Sequence, residues 1–433
     1  MALLACVDIG STWTKAALVE LPAGVLVARA QAPTDPADVV RGVLAATSGF
    51  PDVPVLACSS AGGGLRLAVV GYEELISAEA GHRAALSAGA RVVHVAAGPL
   101  DAAGLAALAA AAPDVVLLVG GTDGGEASVL RHNAAALASS AALQGPSGVL
   151  RRPVPVVLAG NAAVRDEVAA VLRDGGVPVT AAGNVLPDIG RLAPEPARAA
   201  IREVFLRHVI GGDRLSTDPR LRQWVRTVTP DAVLSGVTVL AAGRAGAGAP
   251  GVVVVDVGGA TTDVYCVPDP DAEQASLGRE AVGVPAARRT VEGDLGVEAS
   301  AGALHRAAAA EDVPVPDDPL GLGAAAATIA LRRHLRAEAA YGPGGAGART
   351  AGLVVLSGGV FRHGDPEAVA AAVGRIAADR GGAGAVLADA DVLVDSRYVL
   401  AAAGLLAAVH PAAAAGLLSG GRAFAPTTPT RSR

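Results

Sequence analysis

Apolar runs that end on an acid and then a glycine turn mark two places in this chain. LLACV leads into Asp8, Ile9 and Gly10, and VVVV leads into Asp256, Val257 and Gly258. Each passes through a short polar turn and re-enters an apolar run. That pattern predicts a β-hairpin with a carboxylate at the end of its first strand. The two stretches, VDIGSTWTKAALVE from Val7 and VDVGGATTDVYCVP from Val255, form an imperfect repeat. Asp8 aligns with Asp256, Gly10 with Gly258, Thr14 with Thr262, and Lys15 with Asp263. Two related hairpins far apart in one chain suggest two related lobes.

After the first hairpin, GVLVARA predicts a strand, residues 36–47 a helix and VPVLACSS another strand. From Leu65 the pattern changes. The runs LRLAVV, RVVHVA, DVVLLVG, VPVVLAG and VPVTAA alternate with alanine-rich helical stretches, as in a parallel sheet. Helices are expected over 196–210 and 230–242, the latter with Asp231 in its first turn. The expected organisation is a first-lobe segment over 1–64, an inserted α/β domain over 65–183, a helical remainder and connection over 184–250, a second lobe over 251–418, and a disordered tail over 419–433. PDPDAEQASLGRE reads as a polar loop, and the Pro- or Gly-rich stretches EDVPVPDDPLG and YGPGGAGAR read as mobile loops.

Composition narrows the function. The chain is 433 residues long, 52% hydrophobic yet only 2% aromatic, so its core is built from Ala, Val and Leu. A net charge of −6 argues against nucleic acid or an anionic membrane as the main partner. Cys6, Cys58 and Cys266 are too far apart in sequence for a C-x-x-C pair, and read as buried strand thiols of a reducing, cytoplasmic setting. The first residues read as a strand and not a signal peptide, and the alanine-rich stretch from Tyr398 to Leu418 as a packed helix broken at Pro411. His82, His94, His132 and His208 show no metal spacing and read as structural.

ATP with Mg²⁺ needs close backbone N–H donors, small hydroxyls and acids that hold the metal's water shell. The first hairpin supplies Asp8, Gly10, Ser11, Thr12, Thr14 and Lys15; the second supplies Asp256, Gly258, Gly259, Thr261, Thr262 and Asp263. Of the 35 basic side chains, Lys15 is the one lysine, a compact point charge suited to phosphate. Asp8 and Asp256 are the candidate metal holders through water, and with Asp263 the candidate catalytic acids. A third strand, LVVLS, ends in Gly358 and Gly359, where a flat adenosine face can approach the backbone. GGTDGG, carrying Asp123, lies at the carboxyl end of a predicted parallel strand, with Asn161 and Asn184 at two more. Asp123 there reads equally as ligand contact or helix cap, and the asparagines equally as caps. Glu292 and Asp294, in RTVEGDLG, are candidates to approach the nucleotide or hold the hinge between lobes.

The order DIGSTWTK, DVGGATTD, SGG resembles the phosphate and adenosine loops of the acetate kinase/sugar kinase/Hsp70/actin superfamily. With LLVGGTDGG, LAGN, FLRHVI and RTVEGDLG, the chain more narrowly resembles the MutL-type (GlmL) accessory proteins of coenzyme B12-dependent glutamate mutase. The resemblance spans nearly the whole chain. It implies an α/β fold of two ribonuclease-H-like, actin/Hsp70-type lobes around a nucleotide cleft, with an inserted parallel α/β domain. It also implies an ATP-binding, ATP-hydrolysing, chaperone-like factor that reactivates a B12 mutase. The same hairpins serve small-molecule kinases and actin-like filament proteins. A radical-dehydratase activator would need clustered cysteines for an iron–sulfur site, which the wide cysteine spacing opposes; a hydantoinase-type hydrolase would need a longer, metal-rich chain.

Overall fold

In the computed structural model the chain is described over residues 2–60, 65–72, 81, 90–140, 153–189, 191–210, 215–244, 250–268, 287–339, 347–419 and 423–427. His82, the His208 side chain, and most of the PDPDAEQASLGRE and YGPGGAGAR stretches lie outside the described residues. Strands β1 (Ala2–Ile9), β2 (Trp13–Leu21) and β3 (Val25–Pro33) form an antiparallel meander. Helix α1 (Val39–Thr47) starts at Asp38, whose side chain accepts the Val40 N–H. Strand β4 (Val55–Ser59) then pairs parallel to β1.

Residues Gly64–Leu215 form a separate compact unit. Its strands are β5 (Leu65–Gly71), β6 (Ala90–Ala97), β7 (Val115–Leu118), β8 (Val156–Leu158) and β9 (Val179–Ala181). All run parallel, in the order β6-β5-β7-β8-β9. This is a doubly wound order that reverses between β5 and β7. The unit also holds α2 (Ala102–Ala110), α3 (Ser128–Ser139), α4 (Arg165–Asp174) and α5 (Glu195–Val204). Helices on a parallel sheet bury both strand faces, which is why β7 reads as an unbroken apolar run. The helix expected over 196–210 is α5 followed by π-helical turns at Phe205–Ile210.

The other unit resumes at Ser216. Short helix α6 (Arg220–Trp224) leads to β10 (Val225–Val228), parallel to β4, and then α7 (Thr229–Gly243). The second sheet begins with β11 (Gly251–Val257), β12 (Thr262–Val267) and β13 (Arg288–Glu292), another antiparallel meander. Helices α8 (Ala301–Ala310) and α9 (Pro319–Ala339) follow, then β14 (Ala351–Ser357), parallel to β11. Next come α10 (Gly359–Arg362), α11 (Pro366–Ala377), α12 (Ala383–Leu387) and β15 (Asp391–Val394), parallel to β14. Helices α13 (Leu400–Ala407) and α14 (Pro411–Ser419) end the lobe. The tail, expected to be disordered, contributes β16 (Ala425–Pro426), antiparallel to β15. Buried Ala423 and half-buried Phe424 anchor it.

The sheet orders are β10-β4-β1-β2-β3 and β13-β12-β11-β14-β15-β16. Setting β16 aside, each places its first strand centrally, with an antiparallel second and third on one side and a parallel fourth and fifth on the other. The hairpin repeat is thus the visible part of two ribonuclease-H-like lobes. One apolar cluster joins them. It draws Cys6 and Val19 from the first sheet, Val254 and Tyr265 from the second, and Val237 and Leu406 from α7 and α13.

Helices α7 and α13 meet backbone to backbone. A Cβ added at Gly404 would stand 1.7 Å from the Ala232 carbonyl oxygen, and one at Gly236 2.1 Å from that of Leu400. Neither contact yields without moving a helix. Gly404→Ala is expected to cost about 1–3 kcal/mol, read as a lower urea midpoint with an unchanged m-value.

Candidate functional site at the junction of the two sheets

The two hairpins are closed by the same bond. Gly10 N donates to Trp13 O at 3.1 Å, and Gly258 N to Thr261 O at 2.8 Å. A Cβ on Gly10 would lie 2.6 Å from Trp13 O, so the first turn admits no side chain there. The turns also approach each other: a Cβ on Gly259 would lie 3.2 Å from Thr12 Oγ1. Ser11 and Thr12 are half-buried at the tip of the first turn.

Pairing register decides which hairpin residues face together, because side chains alternate between sheet faces. Asp8 is opposite Lys15 and Asp256 opposite Asp263, so each of these pairs shares a face. Thr14 is opposite Ile9 and Thr262 opposite Val257, on the other faces. Both threonines are fully buried. Thr14 Oγ1 lies 2.9 Å from Thr34 Oγ1, which donates to Gly10 O, and Thr262 Oγ1 donates to Leu295 O. Their hydroxyls brace the turns and are not presented beside Asp8 and Asp256.

Asp8 is 4% exposed and fully engaged. Its Oδ1 accepts the Thr229 hydroxyl at the start of α7, and its Oδ2 accepts the Tyr398 hydroxyl at 3.0 Å, just before α13. Lys15 Nζ lies 3.8 Å from Asp8 Oδ2 and 3.8 Å from the centre of the Tyr398 ring. A cavity of about 170 Å³ opens here, lined by Asp8, Lys15, Arg29, Arg362, Arg397 and Tyr398 among others. Burial lowers the proton affinity of Arg362, and repulsion from Arg29 adds to it.

The second sheet contributes three acids, Asp256 half-buried and Asp263 and Asp395 buried. Burial raises Asp256 above the ordinary carboxyl range; Lys15 and Ser357 counter this and Asp8 adds to it. Burial pushes Asp263 up to about 6 against the pull of Arg289. Arg289 Nε donates to Asp263 Oδ1 at 3.2 Å, and its Nη1 lies 3.8 Å from Asp231. Asp395, past the end of β15, is likewise pushed up by burial to about 6, with Asp256 contributing. Its Oδ1 accepts the Val399 N–H, while Oδ2 is buried with no partner among the described residues.

The remaining candidates lie as follows. Gly358 has φ +114°, and a Cβ there would meet Val257 O at 2.1 Å; Gly359 borders open space. Glu292 and Asp294 are both bound by Arg333 Nη1 from α9, at 2.7 and 2.8 Å, which pins their loop to that helix. Asp123 is in the parallel-sheet unit. Its Oδ1 accepts from Ala162 N and Asn184 Nδ2, and Asn161 binds Gly124 N and Gly125 O, so the three side chains hold the GGTDGG loop in shape. His132 Nε2 lies 2.9 Å from Leu100 O, a structural contact. The three cysteines are buried in β1, β4 and β12.

Thr229, Arg289, Asp395 and Tyr398 are site residues that sequence reading missed. Asp395 alone left a signal, as an acid directly after the strand VLV, like Asp8 and Asp256 after theirs.

A sequence model described as MutL protein matches residues 4–316 and 319–420. Protein MutL of Clostridium tetanomorphum is 36% identical over 311 residues, which are 69% of this chain and 65% of that protein. The match thus spans just under two thirds of that relative's length. Among solved structures, diol dehydratase-reactivating factor in nucleotide-free form is 12% identical, with a TM-score of 0.35 over 95% of this chain and 100% of that one. Nucleotide-free acetone carboxylase is 12% identical, with a TM-score of 0.38 over 94% of this chain and 70% of that one. Among the described residues no helix is long and apolar enough to cross a membrane.

Asp395 provides a test of the buried acid cluster. Its folded value near 6 lies above the ordinary 3.8. The ionised form therefore burdens the fold, and that burden appears as pH rises through about 6 and vanishes below about 4. Without nucleotide or divalent metal, Asp395→Asn is expected to melt several degrees above wild type at pH 7.5. The gap closes toward pH 4.5 in paired thermal melts.

Proposed function

This chain belongs to the MutL protein family, and from that membership and the acid-lined junction we propose an ATP-dependent accessory role for it. It binds ATP with Mg²⁺ between the two hairpins, hydrolyses it, and reactivates a coenzyme B12-dependent mutase of the glutamate mutase type. The observation that carries the nucleotide reading is the pair of hairpins closed by one shared bond pattern, each ending its first strand in a carboxylate, with their turns in contact. The mutase reading is carried by the family resemblance alone.

The donor set suits a hard cation, since Asp8, Asp256 and Asp395 offer only oxygen, and one Asp395 oxygen is buried without a partner. Asp8 and Asp256 are the residues that would hold Mg²⁺ through water. When bound, the metal supplies charge neutralisation along the phosphates. Ser11, Thr12, Gly259 and Thr261 offer backbone and hydroxyl donors to phosphate oxygens, while Gly10 and Gly258 use their N–H groups to close the turns. Lys15 and Arg362, beside the cavity, stabilise charge on the terminal phosphate. Asp263, at about 6, is placed in the range of a general base for the attacking water. Gly358 and Gly359 leave backbone open to the adenosine. Hydrolysis removes the phosphate that bridges the lobes and so changes their angle.

Two measurements test this. Titration calorimetry with Mg²⁺·ATP is expected to show binding to wild type and none to the Asp8→Ala, Asp256→Ala protein; equal affinity for both overturns the nucleotide reading. Asp263→Asn is expected to keep ATP binding and slow turnover by about 100-fold or more. For the mutase, a B12-dependent enzyme is expected to co-purify with this chain and to leave it when Mg²⁺·ATP is added.

A further inference from the structure

On the far face of the second sheet, away from the acids, three metal-ligating side chains converge. Cys266 neighbours Tyr265 on β12 and so points to the opposite side, under α9. His334 and Glu338 lie one turn apart on α9 and therefore share a face. One ligand atom from each of Cys266, His334 and Glu338 lies within 4.8 Å of the others. The thiol and imidazole are within the lobe, at 0% and 1% exposure.

The imidazole carries the argument. Its Nδ1 lies 3.1 Å from the Thr290 hydroxyl on β13, which fixes the ring. Its Nε2 is fully buried and has no hydrogen-bond partner, and it stands 3.5 Å from Glu338 Oε1. With Nδ1–H donated to the Thr290 hydroxyl, Nε2 turns its lone pair toward the Glu338 carboxylate, and a cation between the two atoms would relieve that repulsion. Glu338 Oε2 accepts the Ala348 N–H at 2.9 Å, which fixes the carboxylate. Arg288 Nη1 lies 3.1 Å from Glu338 Oε1, an outer contact that orients the carboxylate as Thr290 orients the ring.

We propose that Cys266 Sγ, His334 Nε2 and Glu338 form a zinc site that ties β12 to α9. One sulfur, one nitrogen and one oxygen suit borderline-soft Zn²⁺ better than Mg²⁺ or Ca²⁺. Binding replaces the thiol proton of Cys266 with the metal, and that proton leaves to solvent. The site is separate from the nucleotide junction and stands or falls without it.

The full chain, given one equivalent of Zn²⁺ and desalted, is expected to retain one zinc per chain by elemental analysis. With Co²⁺ in its place, a thiolate-to-cobalt charge-transfer band is expected in the near ultraviolet. Cys266→Ser abolishes the band, and Cys6→Ser keeps it. Thr290→Val, which touches no ligand atom of the metal, is expected to weaken Zn²⁺ affinity about tenfold. Wild type that retains no zinc, or gives no thiolate band with Co²⁺, overturns the proposal even if Cys266→Ser does not fold. A band unchanged in folded Cys266→Ser overturns it as well, and leaves His334 and Glu338 as a buried ion pair.

Discussion

The junction of the two lobes is organised around one carboxylate withdrawn from water. Asp8 ends the central strand of the first sheet, and burying it there is tolerable only with donors on both oxygens. One donor, Thr229, opens α7; the other, Tyr398, precedes α13. The two helices occupy equivalent places after the fifth strands of their lobes. A single side chain therefore refers to both halves of the molecule at once. Lys15 completes the arrangement by offsetting the charge of Asp8 while lying against the Tyr398 ring.

The halves are alike in backbone and unlike in chemistry. Where the first hairpin has Lys15 opposite its acid, the second has Asp263 opposite Asp256. Two carboxylates on one face raise each other's proton affinity, and Arg289 moderates this from β13. The first lobe so presents a cation beside its acid, and the second presents a surplus of acids. A phosphate group with its metal ion needs both kinds of surface.

Much of this was legible in the sequence. The hairpins could be read because a tight turn requires Gly10 and Gly258, and because strand-end acids stand out against apolar runs. The parallel-sheet unit could be read because strands covered on both faces lose their alternation. The facing of Thr14 and Thr262 was also open to reading: a hairpin that pairs Asp8 with Lys15 turns Thr14 away. Tyr398 and Thr229 were not legible, since each reaches the junction from an element distant in sequence and carries no local motif; Arg289 opens RTVEGDLG, but nothing local shows that it turns toward Asp263. The role of Asp123 could not be read either, because Ala162 N and Asn184 reach it only once β8 and β9 are beside β7. Within the tail, Ala423 and Phe424 give residues 423–427 an apolar anchor that the surrounding polar residues hide in the sequence.

The glycine contact between α7 and α13 has a mechanical meaning. Interlocked side chains act as teeth and resist twisting, whereas two bare backbone ridges make a smooth bearing. Gly236 and Gly404 leave the nearest point of the crossing to backbone alone, while Val237 and Leu406 pack around it. The Tyr398–Asp8 hydrogen bond lies just before the helix that makes this crossing, so the backbone contact and the contact that holds Asp8 are a few residues apart.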